Sequence, residues 1–423
     1  MTTLALDAVY RDSPMRRTTL RRLIFRREER VGVRAAQRLS LSSAGYLYAR
    51  EGSLDRQQAS DNTVERSLLV AEGDLVVNPM WLVGGSIAVS ALAGSVSPDY
   101  RVFKVGPEVD GRYLHHVLRS APYRAQYELF VRANTTFDRR IQQSDLDDMP
   151  VWVPPLDQQR RIADFLDDRV LRIDQIIAAR KTQVASVKQD RAAYLQGEFT
   201  AAAVGHGTAR LGYLLSNLEQ GWSPQADATP AEGGRWGVMR AGSVNGGFFR
   251  AGDNKALPEG LKPRTEYEIH GGDILMSRAS GSPELIGSVA VVPQDVRPKL
   301  LLPDKLYRLT LLPGWSADFV VGMLRAHENR ERIRLGISGA EGMANNLPSG
   351  VIRGLRVPQL SLRAQGEVVG RLAARQQADR NFEAGTTRSI ELLTEYKQSL
   401  ITAAVTGEFD VTTASTKIPR EQA

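Results

Sequence analysis

Residues 151–177 read VWVPPLDQQRRIADFLDDRVLRIDQII, and the change of character within this stretch decides the fold. Pro154-Pro155 bars a helix before it, and Asp157 supplies a first-turn acid. From Leu166 onward the chain steps alternately by four and three. The stepped positions hold Leu166, Val170, Ile173, Ile177, Arg180, Val184, Val187, Arg191 and Tyr194. This is a sustained a/d seam broken only by two arginines. Gly205 and Gly207 end it. The predicted helix is on the order of 65 Å long at 1.5 Å per residue, too long for the inside of a small domain.

The stretch has a counterpart about two hundred residues later. Residues 355–372, LRVPQLSLRAQGEVVGRL, repeat its Val-Pro, the Leu two residues on, and a Gln followed at +3 and +7 by apolar residues: Gln159/Ile162/Leu166, then Gln365/Val368/Leu372. The ends match too, in YLQGEFTAAAVG (194–205) and YKQSLITAAVTGEFDV (396–411). Upstream, Gly73-Asp74-Leu75-Val76-Val77 corresponds to Gly272-Asp273-Ile274-Leu275-Met276, each a turn feeding a strand-length apolar run. Helix-like patches at Tyr113–Leu118 and Phe319–Leu324 also correspond. The repeat implies a duplicated chain, with an α/β globular domain of mixed α+β type at 1–150, a helix at 151–205, a second domain at 206–354, a second helix at 355–411 and a flexible tail at 412–423.

In the second helix Leu372, Phe382, Ile390, Leu393 and Leu400 carry the stripe, while Arg375, Asp379 and Gly385 weaken its middle. A lone apolar stripe needs a partner, so the two helices are expected to pair as an antiparallel coiled coil with pseudo-two-fold symmetry. Asp379 or Glu383 is expected to meet Arg180 or Arg191 and fix their register.

Composition narrows the function. A hydrophobic share of 42% and a charged share of 24% are those of an ordinary globular protein. No apolar run reaches the eighteen residues of a membrane span, and the start lacks a signal-peptide core. The chain has no cysteine, which removes disulfides, thiolate metal sites and thiol nucleophiles and fits a cytoplasmic location. The net charge of +7 suits a polyanionic partner. Ten arginines between Arg11 and Arg38, against Asp12, Glu28 and Glu29, give a local surplus equal to that of the whole chain. That segment reads as a solvated arm or a phosphate contact, with a transit peptide a poorer option.

Pro154-Pro155-Leu156-x-x-Gln159-x-x-Ile162-Ala163-x-x-Leu166-Asp167, its counterpart from Pro358, and the ending Leu400–Gly407 resemble the conserved regions of the specificity (S) subunit of type I DNA restriction–modification systems. Gly272–Arg278 followed by Gly287 is similar to the middle of that family's target recognition domains. The resemblance implies a non-catalytic DNA reader. Each globular unit would read one half of a bipartite site in double-stranded DNA. The helices would set the spacing and dock modification (methyltransferase) subunits, two for a duplicated dock, joined for cleavage by a restriction subunit where one exists. S-adenosylmethionine, and ATP with Mg, would then belong to those partners, leaving no cofactor and no metal in this chain. Two departures from the family pattern stand out: Pro358-Gln359-Leu360 in the second spacer, and an Arg-rich opening to the first unit in place of one like Leu211-Gly212-Tyr213-Leu214.

An enzyme reading stands beside this one. Asn78-Pro79-Met80-Trp81 comes within one residue of the tetrapeptide with which amino-methylating DNA methyltransferases hold their target nitrogen. In the repeat, however, it falls where the second half has Ser277-Arg278-Ala279-Ser280, and no glycine-rich loop follows a strand and opens a helix. Adjacent His115-His116 on a helix are poor co-ligands for a metal. Base reading needs side chains that reach base edges. The first unit offers Tyr46, Tyr48, Arg50, Asn78, Trp81, Arg132, Thr135, Thr136 and Arg139; the second offers Arg240, Asn245, Ser277, Arg278, Asn345 and Asn346. Each is also compatible with a turn or a solvated side chain. As a set they place base-reading groups on loops over a scaffold.

Overall fold

A computed structural model describes residues 5–11, 13–50, 61–131, 140–226, 229–232, 234–338 and 345–411. Arg132, Thr135, Thr136, Arg139 and the 412–423 tail lie outside the described residues. The chain divides into two compact units, Met1–Arg180 with Thr387–Ala423, and Lys181–Thr386. Each unit therefore combines one globular part with half of each long helix.

The first globular part runs β1 (Arg16–Thr19), β2 (Ile24–Arg27), β3 (Leu39–Leu41), β4 (Leu47–Ala49), β5 (Leu75–Val77), β6 (Ile87–Val89), β7 (Arg101–Val105), α1 (Gly111–Arg119), α2 (Ala121–Leu129) and β8 (Pro150–Val153), with shorter elements between, and leads into the first long helix, α3 (Leu156–His206). The second runs β9 (Thr208–Arg210), β10 (Leu215–Gln220), β11 (Gly237–Met239), β12 (Asn254–Ala256), β13 (Ile274–Ser277), β14 (Val289–Val291), β15 (Leu306–Leu311), α4 (Ala317–Leu324), α5 (His327–Gly336) and β16 (Arg356–Pro358), and leads into α6 (Leu362–Thr406). The elements named match in order, while the shorter ones between them differ. Each unit holds a four-stranded antiparallel sheet, β2-β7-β5-β6 or β10-β15-β13-β14. Each also has an opening strand paired antiparallel with the closing one, β1 with β8 and β9 with β16.

The repeated Gly-Asp turns are scaffold. Gly73 and Gly272 take positive φ, +84° and +90°, where glycine carries no Cβ penalty. The Asp74 carboxylate accepts from the Ala71 amide and that of Asp273 from the His270 amide, and each meets a strand arginine, Arg27 or Arg308.

The Arg-rich segment is not an arm. It supplies β1 and β2, and its arginines meet acids: Arg16 with Glu108, Arg17 with Asp7, Arg21 with Asp148, Arg27 with Asp74 and Arg34 with Glu29. Beneath the charges lies the opening that looked absent. Leu20 and Leu23, both buried, bracket a short turn of helix as Leu211 and Leu214 do in the second unit.

The repeated glutamines explain the repeat itself. In the first unit Gln159, fully buried, accepts from the Asp110 amide at 2.8 Å and donates to the Pro154 and Glu108 carbonyls. In the second, Gln365 accepts from the Ser316 amide at 2.8 Å and donates to the Gly314 and Leu360 carbonyls. Asp110 and Ser316 are the N-caps of α1 and α4. One carboxamide thus joins the head of each long helix to the head of the helix packed on the sheet. Replacing Gln159 or Gln365 by alanine strands a buried amide and is expected to lower stability by about 1–2 kcal/mol. Urea unfolding of the single and double variants measures it; a change within error for both would remove the anchoring role.

Contacts along the long helices run in opposite order in each unit. In the first, Phe165 and Asp174 of α3 meet Phe409 and Lys397 at the C-terminal side of the chain. In the second, Arg191 and Glu198 meet Asp379 and Arg371. Both pairings are antiparallel. On α3, Leu166, Ile173 and Ile177 are buried, and Val170, Val184, Val187 and Tyr194 half-buried. On α6, Leu372, Ile390, Leu393 and Leu400 are half-buried.

Phe382 departs from the expected stripe, being 42% exposed. The buried residues around it are Asp379 and Thr386, with Glu383 half-buried. Two successive four-residue steps, 375 to 379 to 383, shift the stripe by one position, a stutter. That shift turns Phe382 outward and carries an ionic node inward. Arg191 binds Asp379 at 3.0 Å and Glu383 at 3.1 Å, and Asp379 also holds Arg375 at 2.9 Å.

Candidate nucleic-acid interface

In the first unit the predicted surface residues gather on two loops and one strand entry. Tyr46 ends the turn of the β3–β4 hairpin and Tyr48 lies on β4; they are 56% and 47% exposed, with ring centroids 6.0 Å apart. Asn78 and Trp81 lie on the loop from β5 to β6, where Trp81 is 54% exposed. The Asn78 side-chain oxygen accepts from the Met80 amide and the Asn78 carbonyl from the Trp81 amide, so the loop is a closed turn.

Tyr100, at the entry to β7, was not singled out from sequence. Burial raises its phenol, against a hydrogen bond with the Asn78 side chain that lowers it, and Tyr48, Arg50 and Asp99 lie near enough to act on it electrostatically. Asn78 and Tyr100 therefore lie together, with Tyr48 and Arg50 in electrostatic range. Asp99 also holds Arg140. The only clue in the sequence is Tyr100's place before a strand-like run.

One half-buried side chain ties the loops together. Arg119, at the end of α1, donates to the Gly85 and Ile87 carbonyls of the β5–β6 loop and to the Ser43 carbonyl of the hairpin turn. Burial pulls its guanidinium down to about 10, helped by Arg124, so it stays charged at neutral pH. On the same helix Arg112 meets Asp164 and Asp167 of α3, and His116 Nε2 donates to Asp167 at 2.7 Å. Burial raises the Asp167 carboxyl, but the His116 bond and the Arg112 charge outweigh it and hold it below its ordinary value. Burial and the charge of His116 push His115 down to about 3, which leaves it neutral. His116 is thus part of the mount between α1 and α3.

In the second unit the predicted residues scatter. Arg240 and Asn245 lie on the turn joining β11 to β12, with Arg240 near Asp253 at 3.8 Å. Arg278 is half-buried, its carbonyl accepting from Leu347; Asn345 and Asn346 pair as a short strand with Ala279–Ser280. Ser277 is a correction. It ends β13 with its side chain buried and cannot reach a base edge, because both faces of this strand are covered.

Exposed Phe248 and Lys305, and Trp222 with Arg264 at 5.0 Å over its ring, also lie on this unit's turn and strand-end segments. Gly322 and Ala373 stand where the first unit has His116 and Asp167. A cavity of about 500 Å³ opens there, lined by Phe248, Phe249, Val321, Gly322, Arg325 and Leu372 among others. Among the described residues no three acids or histidines cluster as metal ligands, and no helix is long and apolar enough to cross a membrane.

No protein-family model matches the chain. It is 36% identical over 110 residues to the specificity subunit of the type I restriction enzyme EcoEI from Escherichia coli, covering 26% of this chain but only 18% of that subunit. It is 23% identical over 332 residues to the EcoKI specificity subunit of E. coli K12, covering 72% of this chain and 68% of that one. The fold matches a chain from a type I R-M system studied for complex assembly and conformational transition, at a TM-score of 0.70 and 16% identity, covering 94% and 99% of the two chains. It also matches the HsdS subunit of Thermoanaerobacter tengcongensis, at 0.53 and 15%, covering 94% and 98%. The chain resembles type I specificity subunits in sequence and in fold. The fold it shares with these chains is the one described above, mixed α/β parts and two long helices.

Proposed function

We propose that the chain is the DNA-recognition subunit of a type I restriction–modification complex and carries no catalysis of its own. Each globular unit reads one half of a bipartite site in double-stranded DNA. The paired helices set the spacing, as dimer geometry does in other DNA readers, and dock the modification subunits. Two half-site affinities then combine through effective concentration. S-adenosylmethionine, and ATP with Mg where a restriction subunit joins, are held by those partners in the cytoplasm.

The observation that carries this reading is the matched pair of units. The same antiparallel sheet is anchored through a backbone-directed glutamine to each long helix, while the loops at the far end of the sheet differ in sequence. The methyltransferase reading of Asn78–Trp81 finds no support in this setting. The tetrapeptide forms a turn between antiparallel strands, and its asparagine is engaged by Met80 and Tyr100, whereas cofactor-cradling loops link a strand to a helix in parallel sheets.

Selection from a random-sequence duplex pool by the full chain tests the reading. The expected result is two short conserved blocks separated by a gap of fixed length, with binding that weakens as salt rises. A single block, or none, would overturn it.

A further inference from the structure

Arg119 has a counterpart at the same place in the second unit. Arg325 follows α4 as Arg119 ends α1, and it donates to the Gly246 carbonyl. Both reach into the turn of a hairpin, β3–β4 in one unit and β11–β12 in the other. Both meet a glycine of positive φ there: Gly45 at +89° and Gly247 at +81°. A Cβ at either glycine would overlap the guanidinium, so each turn is shaped around its arginine. In the second unit the neighbouring Arg330 takes over the other loop, donating to the Glu284 and Ile286 carbonyls.

Two things about these arginines are costly. Among the described residues neither makes a salt bridge, and burial lowers the affinity of both for their protons. A half-buried charge held mainly by carbonyl oxygens is a weak stabiliser, because its lost hydration is only partly replaced. Its presence in both copies calls for a role beyond packing. The residue after each clamped glycine supplies one. Tyr46 follows Gly45 and is 56% exposed; Phe248 follows Gly247 and is 43% exposed. A large ring standing in water beside a rigidly held turn is the form taken by contact anchors at interfaces.

We infer that Arg119 and Arg325 are positioning residues of the two reading surfaces, each fixing a glycine turn so that one exposed aromatic, Tyr46 or Phe248, is presented to DNA. This rests on the proposed function, since it assigns the turns to DNA contact. At Arg119 the forked guanidinium matters because one group reaches carbonyls on two loops, which a lysine ammonium cannot do as a planar fork; in the second unit Arg325 and Arg330 divide that task.

The test repeats the duplex-pool selection with Arg119→Met, Arg325→Met, Tyr46→Ala and Phe248→Ala in the full chain. Circular dichroism melts accompany each variant. Arg119→Met and Tyr46→Ala are expected to blur the same one block of the bipartite consensus and to weaken binding to the wild-type consensus by about 5- to 100-fold, the range of a lost base contact. Arg325→Met and Phe248→Ala should blur the other block. Tyr46→Phe and Phe248→Tyr should restore both. Because Tyr46 and Phe248 are exposed, their alanine variants remain folded and decisive even if an arginine variant unfolds. Unchanged blocks in both alanine variants, or loss of both blocks at once, would overturn the inference. A wild-type pool with no bipartite consensus would instead refute the function on which it rests.

Discussion

Alanine at Asp379 is expected to lower stability by about 2–3 kcal/mol and to loosen the helix pair in the second unit. Asp379 is buried and bridges two guanidiniums, Arg191 at 3.0 Å and Arg375 at 2.9 Å. Removing one partner of a fully buried pair costs about 3–5 kcal/mol. The cost is smaller here because both arginines are about one-third exposed and Arg191 keeps Glu383. The apolar triple variant Asp379→Leu, Arg191→Leu, Arg375→Leu separates stability from register. It should match or exceed the wild type in a urea melt, since apolar replacement of a buried ion cluster is often neutral or stabilising. It should also lose the single register that a buried charge enforces by having only one place where it is satisfied. Hydrogen exchange along residues 181–206 and 362–386 reads that loss. Slow, uniform protection in the triple variant would show that apolar packing alone sets the register.

What the sequence made legible follows from which interactions are periodic. The seam of α3 could be read because burial on a helix repeats with the helix, and the ionic node could be anticipated because charges stood on that stripe. The stutter could not, because a four-residue step shows only when the partner's surface is known; Phe382 looked apolar and was placed inward, while burial chose Asp379. Gln159 and Gln365 were visible as a repeat, but their task was not, since their partners are backbone groups that leave no mark in composition. For the Arg-rich segment the total charge misled. Paired with Glu108, Asp148 and Asp74, which lie far along the chain, those arginines belong to two strands and the turn between them. Of the candidate DNA surface, the sequence names Tyr46, Tyr48, Asn78 and Trp81 on two turns, while Tyr100 and Phe248 come into view only when the hairpins and the sheet end are assembled.

Exchange of residues 206–354 for the corresponding segment of a relative with a different target should change one block of the recognised sequence and leave the other block intact. The size of the effect follows from base contacts. Each mismatched base pair costs about 1–3 kcal/mol, so replacing a block of three or more pairs moves preference by roughly a thousandfold or more. Such an exchange is feasible because of how the segment is held. Of the anchor made by Gln365, the parts inside the exchanged segment are the Ser316 amide and the Gly314 carbonyl. Both are backbone groups, which any sequence folding to the same turn will supply. The helix side of the joint, Phe199, Val368 and Leu372, stays in place and asks only for an apolar face in return. Gly322 is the position to watch, since its Cβ would lie 3.1 Å from Leu372, and a larger donor residue there must fill the adjoining cavity. Selection from a random duplex pool before and after the exchange reads the outcome directly. A change in both blocks would mean that the units do not read independently, and the sequence-blind anchor would then be a means of assembly alone.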